Sequence, residues 1–148
     1  MIINGIEYKE YWKDGRDVCK ELKKNNLDAV EIMARFFFEQ NIFDEKSILI
    51  PAPQHTGKAI YTLEVAKIIS QNTGARIADI LRCSPRETLY SQKLHKGILH
   101  TDLFLSAPVP DGKIFFIDNC IASGRTFFDS EKLIGKMIPI AYGMSKRL

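Results

Sequence analysis

The sequence has few cysteines, no long apolar segment and little excess charge of either sign. Its three cysteines, Cys19, Cys83 and Cys120, are odd in number and widely spaced, which argues against a disulfide framework and a zinc ribbon. No apolar run approaches the length that crosses a bilayer, and residues 1–10 carry no basic segment followed by an apolar one. These absences predict a cytoplasmic protein that does not bind membranes.

The charge balance also argues against nucleic acid as a partner. The 148 residues include 21 Lys and Arg against 18 Asp and Glu, so the net charge is +3 with the histidines neutral. This excess is too small to indicate a nucleic-acid surface. With 45% hydrophobic and 26% charged residues, the composition is that of a globular protein, and the length predicts one domain over residues 1–148.

Helix-like and strand-like segments alternate along most of the chain. A capping-box pattern that begins at Asp28, followed by apolar residues at helical spacing, predicts a helix that ends near Asn41. Further helices are predicted at 58–71 and 126–136. Strands are predicted at 47–50, 75–81, 113–117 and 138–142; the first reads as buried on both faces, and Pro139 places the last towards a strand start or sheet edge.

This order predicts the α/β class, with a mainly parallel open sheet flanked by helices over residues 46–142. Residues 1–45 lie outside the alternation and are expected to form a short N-terminal cap or hood. No linker separates the two segments, so both belong to the one predicted domain.

The segment 114–126 is the most informative part of the sequence. Four apolar residues of a predicted strand are followed by Asp118 and Asn119, then by a loop of small residues and the start of a helix. Small residues allow the backbone to approach a ligand, and the amides at the helix start would converge on one point. This combination suits a phosphate monoester, with Asp118 accepting hydrogen bonds from sugar hydroxyls. The alternative is a strand–turn–helix junction that uses small residues only for packing.

The same thirteen positions resemble the signature of type I phosphoribosyltransferases that binds 5-phosphoribosyl 1-pyrophosphate (PRPP). Twelve of them fit its pattern of four apolar residues, two acids and a loop ending Thr/Ser-Gly-x-Thr, and Asn119 stands where the family usually has a second acid. Upstream, 48–58 is similar to the strand and loop that hold pyrophosphate, and 82–97 falls where the family has a flexible catalytic loop. The resemblance is nearest to the competence-associated and amidophosphoribosyltransferase-like branches.

The resemblance implies a type I phosphoribosyltransferase fold and a pentosyl transfer reaction. A nitrogen nucleophile on a small acceptor would displace pyrophosphate at the anomeric carbon of PRPP. Because negative charge develops on the leaving pyrophosphate, Mg²⁺ and cationic groups would dominate the stabilisation of the transition state. Members of the family commonly dimerise, so a homodimer is also implied.

The resemblance assigns roles to individual residues. Asp118 and Asn119 would bind the ribose, and Asp118 would also reach Mg²⁺ through the bound PRPP. The 5′-phosphate would be held by Ala122, Ser123, Gly124, Arg125 and Thr126. The pyrophosphate would face Gln54, His55, Thr56, Gly57 and Lys58. Lys93, His95 and Lys96 are candidates for a loop that closes over the substrate, and Asp118, Lys93 and Lys96 are the candidate catalytic residues.

Two departures from the family pattern keep alternatives open. Asn119 brings no charge, which favours a PRPP-binding or nucleotide-binding sensor that lacks transfer activity. Ala122 stands where hypoxanthine-guanine enzymes carry an Asp, which argues against that purine class. A sugar-phosphate-binding protein of another α/β family is a third reading. The segment 52–59 lacks the first Gly and the Ser/Thr of a Walker A loop, so ATP-dependent chemistry is not expected.

Overall fold

The computed structural model describes residues 1–24 and 26–145. In chain order the elements are β1 (Ile2–Ile3), β2 (Ile6–Glu7), β3 (Lys9–Glu10), a π-helical turn (Tyr11–Gly15), α1 (Arg16–Lys23), α2 (Leu27–Phe38), β4 (Ser47–Pro51), α3 (Tyr61–Thr73), β5 (Arg76–Ile77), β6 (Leu81–Cys83), α4 (Leu89–Leu94), β7 (Leu103–Leu105), β8 (Lys113–Ile121), α5 (Arg125–Ile134) and β9 (Ile138–Met144). The predicted α/β class is confirmed.

Five parallel strands form the central sheet in the order β3–β9–β8–β4–β5. Its centre is the β4–β8 pair, whose register runs from Ser47 opposite Lys113 to Pro51 opposite Ile117. All five residues of β4 are buried, which explains why this strand reads as a continuous apolar run with no alternation. The predicted parallel sheet flanked by helices is therefore confirmed, and the pairs β1–β2 and β6–β7 form two small antiparallel sheets beside it.

Helices cover both faces of the sheet. On one face, α1, α2 and α3 bury Leu22, Phe37 and Val65 against a core that includes Leu49 and Phe115. On the other face, α5 and the β6–β7 hairpin cover a smaller core built on Ile48, Ile50 and Phe116. Full burial of one such side chain contributes about 1.5–3 kcal/mol, so the two cores hold the strands in register.

The chain leaves the two central strands in opposite directions. From β4 it passes through α3 to β5 on one side, and from β8 it passes through α5 to β9 on the other. Right-handed crossovers that diverge in this way place their helices on opposite faces and leave a crevice between the carboxyl ends of the two strands. Ligands of open α/β sheets bind at such a crevice.

The predicted capping box at Asp28 is wrong. The N-cap of α2 is Asn26, whose Oδ1 accepts hydrogen bonds from the amides of Asp28 at 2.9 Å and Ala29 at 3.4 Å. Asn26 has the extended backbone that an N-cap needs, and Asp28 already lies in the first helical turn. The helix consequently begins at Leu27 and ends at Phe38, before the predicted Asn41.

Three other predicted boundaries also differ. The helix predicted from Lys58 begins at Tyr61, because 54–58 forms a turn in which the Gln54 amide donates to the Lys58 carbonyl and the Gly57 amide donates to the Gln54 carbonyl. Within the predicted strand 75–81, Arg76 and Ile77 join the sheet, whereas the chain from Leu81 pairs with β7. Strand β8 extends to Ile121, so it includes the polar pair that the sequence placed at its end.

The expected N-terminal cap is not confirmed. Strand β3 pairs with the end of β9, and α1 and α2 form part of the helical layer on one face of the sheet. Gly15 packs closely there, since a Cβ on it would stand 3.2 Å from the Gly143 Cα atom. The segment is thus built into the core. Among residues 1–24 and 26–145, no helix is long and apolar enough to cross a membrane.

Candidate functional site

A cavity of about 380 Å³ lies at the carboxyl ends of β4 and β8, in the crevice between them. Its floor is the segment 118–127, which comprises the end of β8, the small-residue loop and the start of α5. One wall is formed by 53–55 and Tyr61, and the adjacent wall by Arg86 and 88–90. Lys23, at the end of α1, also borders the cavity.

The cavity brings together the predicted residues of two separate segments. From the phosphate loop and the strand before it come Asp118, Asn119, Ala122, Ser123, Gly124, Arg125 and Thr126. From the predicted pyrophosphate loop come Gln54 and His55. The other predicted residues lie outside the lining, namely Thr56, Gly57, Lys58, Lys93, His95 and Lys96. Lys93 and Lys96 are exposed at the end of α4 and just after it.

Asp118 is half-buried, and Lys23 is the nearby cation that acts on its charge. Its Oδ1 accepts a hydrogen bond of 2.7 Å from the Asn119 amide. Burial raises the pKa of Asp118 to about 7, while this hydrogen bond and the charge of Lys23 favour the ionised form. The carboxylate is therefore costly to ionise in the free protein and gains from any ligand that brings positive charge.

Asn119 fills the position of the second acid with a buried amide. Its side chain is 4% exposed, and Nδ2 has no hydrogen-bond partner within residues 1–24 and 26–145. A buried donor without an acceptor costs about 1–3 kcal/mol. Among the described residues, this amide is therefore a buried donor that still lacks an acceptor.

The loop before α5 has the backbone that an anion site requires. Gly124 adopts φ +79°, a left-handed conformation that residues with a Cβ rarely adopt, and it precedes the first helical residue. The first amides of α5 have no acceptors within the helix, and the helix dipole adds about half a positive charge there. Ser123 Oγ accepts from the Arg125 amide at 3.3 Å, which places its hydroxyl beside these donors.

The side chain of Arg125 makes contacts that hold two segments of the protein together. Its Nη2 donates to the Leu99 carbonyl at 2.9 Å, and its Nε lies 3.8 Å from Asp129 Oδ2. Asp129 also accepts from the Thr101 hydroxyl at 2.7 Å. These contacts tie the segment after α4 to α5, so it is the backbone of Arg125 that remains beside the phosphate loop.

Arg86 is a cavity residue that the sequence reading did not single out. Its amide donates to the His55 carbonyl at 3.0 Å, which joins the two walls of the cavity. Its guanidinium donates to the Thr101 and Glu87 carbonyls, at 2.9 and 2.8 Å. The only signal in the sequence was its place in the basic segment 82–97.

Tyr61 and Lys23 were also missed. Tyr61 begins α3 beside Gln54, and burial followed by the charge of Asp118 raises the pKa of its phenol, so the phenol remains protonated. Lys23 comes from α1, more than ninety residues before Asp118 in the chain. Because such contacts depend on how α1 packs on the sheet, no local pattern marks either residue.

Two cysteines meet below the cavity. The thiol of Cys19, on α1, has two acceptors within reach, the Asn119 carbonyl at 3.3 Å and the sulfur of Cys120. The contact between the thiols lowers the pKa of Cys120 and raises that of Cys19. Cys120 lines the cavity, whereas Cys19 is fully buried.

The residues fit a magnesium ion that is held mainly by its ligand. Among the cavity-lining residues, Asp118 supplies the carboxylate, and the described residues contain no group of three or more His, Cys, Asp or Glu side chains able to hold a metal. Mg²⁺ commonly binds through one or two carboxylates together with substrate phosphates and water. The indirect role of Asp118 in magnesium binding stays a prediction.

A wider depression of about 500 Å³ lies at the opposite end of the sheet, before β4 and β5. Its lining includes Asp44 and Glu45, and Asp44 already accepts from the Lys46 amide and the Ser47 hydroxyl. These carboxylates disfavour an anionic ligand. The cavity at the carboxyl ends is therefore the candidate site. No protein-family model matches the chain, and no curated protein matches it significantly.

Proposed function

We propose that this protein is a phosphoribosyltransferase that uses PRPP with Mg²⁺ and transfers the phosphoribosyl group to a nitrogen acceptor. The observation that carries the proposal is the meeting of Asp118 and the loop 122–126 in one cavity, with His55 and Arg86 on its walls. We propose in addition that the sheet is the core of a type I phosphoribosyltransferase fold.

The phosphate loop supports the binding of the 5′-phosphate. The amides of Ser123, Gly124 and Thr126 would donate to its oxygens, with the hydroxyls of Ser123 and Thr126 beside them, while the Arg125 amide donates to Ser123 Oγ. A dianion at a helix N-terminus is stabilised by the free amides and by the helix dipole together. Gly124 is essential to this role because its left-handed backbone turns the loop into the helix.

Asp118 would hold the ribose by accepting hydrogen bonds from its hydroxyls. Its pKa of about 7 in the free protein means that a cation-bearing ligand draws it into the ionised form. Bound Mg²⁺ would supply positive charge at the leaving pyrophosphate. Asn119 would donate its free amide hydrogen to an oxygen of the same ligand.

The walls of the cavity support the binding of the pyrophosphate. Two of the five N–H donors of Arg86 bond to backbone carbonyls, which orients the guanidinium. His55 and Gln54 lie on the adjacent wall. In the reaction the bond from C1 to the pyrophosphate oxygen breaks as the acceptor nitrogen bonds to C1. The guanidinium would stabilise the negative charge that develops on the leaving group.

The first test is the melting temperature with PRPP and Mg²⁺. A ligand at about 100 times its Kd stabilises the native state by about 2.7 kcal/mol, so we expect a rise of several degrees. Asp118→Asn should reduce this rise. The absence of a rise at millimolar PRPP in the wild type, or an equal rise in Asp118→Asn, would contradict the proposal.

The second test identifies the reaction. Pyrophosphate release is measured with PRPP and a panel of nucleobases, ammonia and small amines. Release that requires one acceptor class supports transfer, and Arg86→Ala should lower its rate. Arg76→Ala is the matched control, because Arg76 is an exposed arginine on β5 that lies outside the cavity lining.

A PRPP-binding sensor without transfer activity is the second candidate. The observation that favours it is the uncharged, 4% exposed Asn119 in place of the family's second acid. A sensor would show the rise in melting temperature with PRPP and no pyrophosphate release with any acceptor. Release with any member of the panel would contradict it.

A further inference from the structure

The packing of α1 on the sheet places the thiol of Cys19 over the end of β8, next to Cys120. Cys19 Sγ lies 3.3 Å from the carbonyl oxygen of Asn119, the residue before Cys120. On the neighbouring strand, Gly143 is the register partner of Cys120, and a Cβ on Gly143 would stand 3.3 Å from Cys19 Sγ. The missing side chain at Gly143 therefore leaves room for the Cys19 sulfur beside Cys120.

The two thiols differ in access. Cys120 is half-buried and lines the candidate cavity, so a small solute in the cavity has access to this residue. Cys19 is 1% exposed and is reached through Cys120. This difference in access suits a reaction in which Cys120 is oxidised first and Cys19 then attacks the oxidised sulfur.

We propose that Cys19 and Cys120 form a reversible dithiol–disulfide pair that covalently joins α1 to β8 beneath the candidate site. With hydrogen peroxide as the oxidant, the Cys120 sulfur takes one peroxide oxygen to give a sulfenic acid, and one water is released. The Cys19 sulfur then attacks the Cys120 sulfur and displaces its hydroxyl as a second water. Two thiols lose two electrons and two protons, and one peroxide is reduced to two waters.

The disulfide bond would change the geometry of the candidate site. Lys23 lies one helical turn after Cys19, and Asp118 lies two residues before Cys120. A disulfide requires the sulfurs to approach to about 2.05 Å, which draws α1 towards β8 and with it the cation that faces Asp118. This pair does not depend on the identity of the cavity's ligand, so it stands separately from the proposed function.

Cys83 provides an internal control. It is buried on β6, in the separate antiparallel sheet, and its thiol donates to the Gln54 carbonyl at 2.9 Å. Its burial and its different element make it the thiol that mild oxidation should leave unchanged. The chain therefore contains both the candidate cysteine pair and a buried thiol that serves as its control.

The experiment oxidises the folded wild-type protein with a small excess of hydrogen peroxide. Thiols are then counted after denaturation, and the disulfide is located by peptide mapping without reduction. We expect the three free thiols to fall to one, a linked peptide that contains Cys19 and Cys120, and recovery of all three thiols with dithiothreitol. Cys83→Ser should give the same linked peptide, and Cys19→Ser should give none.

The wild-type map decides the proposal even if a variant folds poorly. A linked peptide containing Cys83, three thiols that persist after oxidation, or sulfinic acid on Cys120 with no disulfide would each overturn it. Oxidation of urea-unfolded protein is the reference for random pairing. A Cys19–Cys120 preference equal to that of the unfolded chain would also overturn it, because the folded geometry would then contribute nothing.

Discussion

The Arg125 guanidinium donates to the Leu99 carbonyl oxygen at 2.9 Å and thereby ties the first turn of α5 to the segment that follows α4. Arg125 thus contributes its backbone to the turn before α5 and its side chain to the contact with the segment after α4. Two further hydrogen bonds link the same segments. The Thr101 hydroxyl donates to Asp129, and the Arg86 guanidinium donates to the Thr101 carbonyl. The loop and the wall of the cavity are therefore one connected unit.

Arg125→Ala should loosen this unit without removing the phosphate loop. We expect a loss of about 1–3 kcal/mol in the free energy of unfolding, since the Leu99 carbonyl loses a charged donor. Amide hydrogen exchange over residues 98–102 should become faster. Lys132→Ala is the control, because Lys132 is an exposed partner of the same Asp129. Equal exchange in the two variants would contradict the structural role of Arg125.

Gly124→Ala and Gly74→Ala form a matched pair. Both glycines adopt φ +79°, Gly124 at the N-cap of α5 and Gly74 at the C-cap of α3. Each substitution should cost about 1–2 kcal/mol, because a Cβ is disfavoured in this conformation. At equal loss of stability, only Gly124→Ala should reduce the rise in melting temperature with PRPP. An equal reduction in both would mean that the effect comes from stability alone.

Asp118→Asn should change the pH dependence of stability. Because the pKa of Asp118 is about 7 in the folded protein and about 3.8 in the unfolded chain, unfolding releases a proton between these values. The wild type therefore loses stability as the pH rises through this window, and the penalty is complete above pH 7. At most this amounts to about 4 kcal/mol. The Asp118→Asn substitution removes this penalty, and the new side-chain oxygen can still accept a hydrogen bond from the Asn119 amide.

The measurement is the melting temperature without ligand from pH 4 to pH 8. Asp118→Asn should melt at a higher temperature than the wild type at pH 8, and the difference should vanish near pH 4. A constant difference across this range would show that the carboxyl does not titrate as described. A variant that is less stable at pH 8 would show that its charge is already compensated.

The side chain of Gln92 should hold the segment 87–100 in its folded conformation. It is 5% exposed, its Nε2 donates to the carbonyls of Glu87 and His100, and its Oε1 accepts from the His100 amide. Gln92→Ala should increase limited proteolysis within 87–100 and cost about 1–3 kcal/mol. Lys93→Ala, at the exposed neighbour, should leave cleavage unchanged. Similar cleavage in both variants would contradict the role of Gln92.

Much of the architecture was predictable because its signals are local. The apolar runs at 47–50 and 113–117 predicted the two central strands, and Gly74 marked the end of α3. The strand, the small-residue loop and the helix around 114–126 were also predictable, because they follow one another without interruption. The N-cap of α2 was missed because Asn26 and Asp28 both have side chains that cap helices, and the backbone decided between them.

The limit of prediction lies where distant segments meet. A peptide sequence specifies hydrophobic periodicity, turns and caps within a few residues, so the sequence alone determined the α/β order and the small-residue character of the loop before α5. Tertiary packing alone decided that Lys23, Tyr61 and Arg86 border the same cavity, and that Lys58 does not. It also decided that Cys19 rests against Cys120, since that contact exists only once α1 is docked over Gly143. Such contacts join residues far apart in the chain, and they form only when burial of the shared core fixes the helices on the sheet.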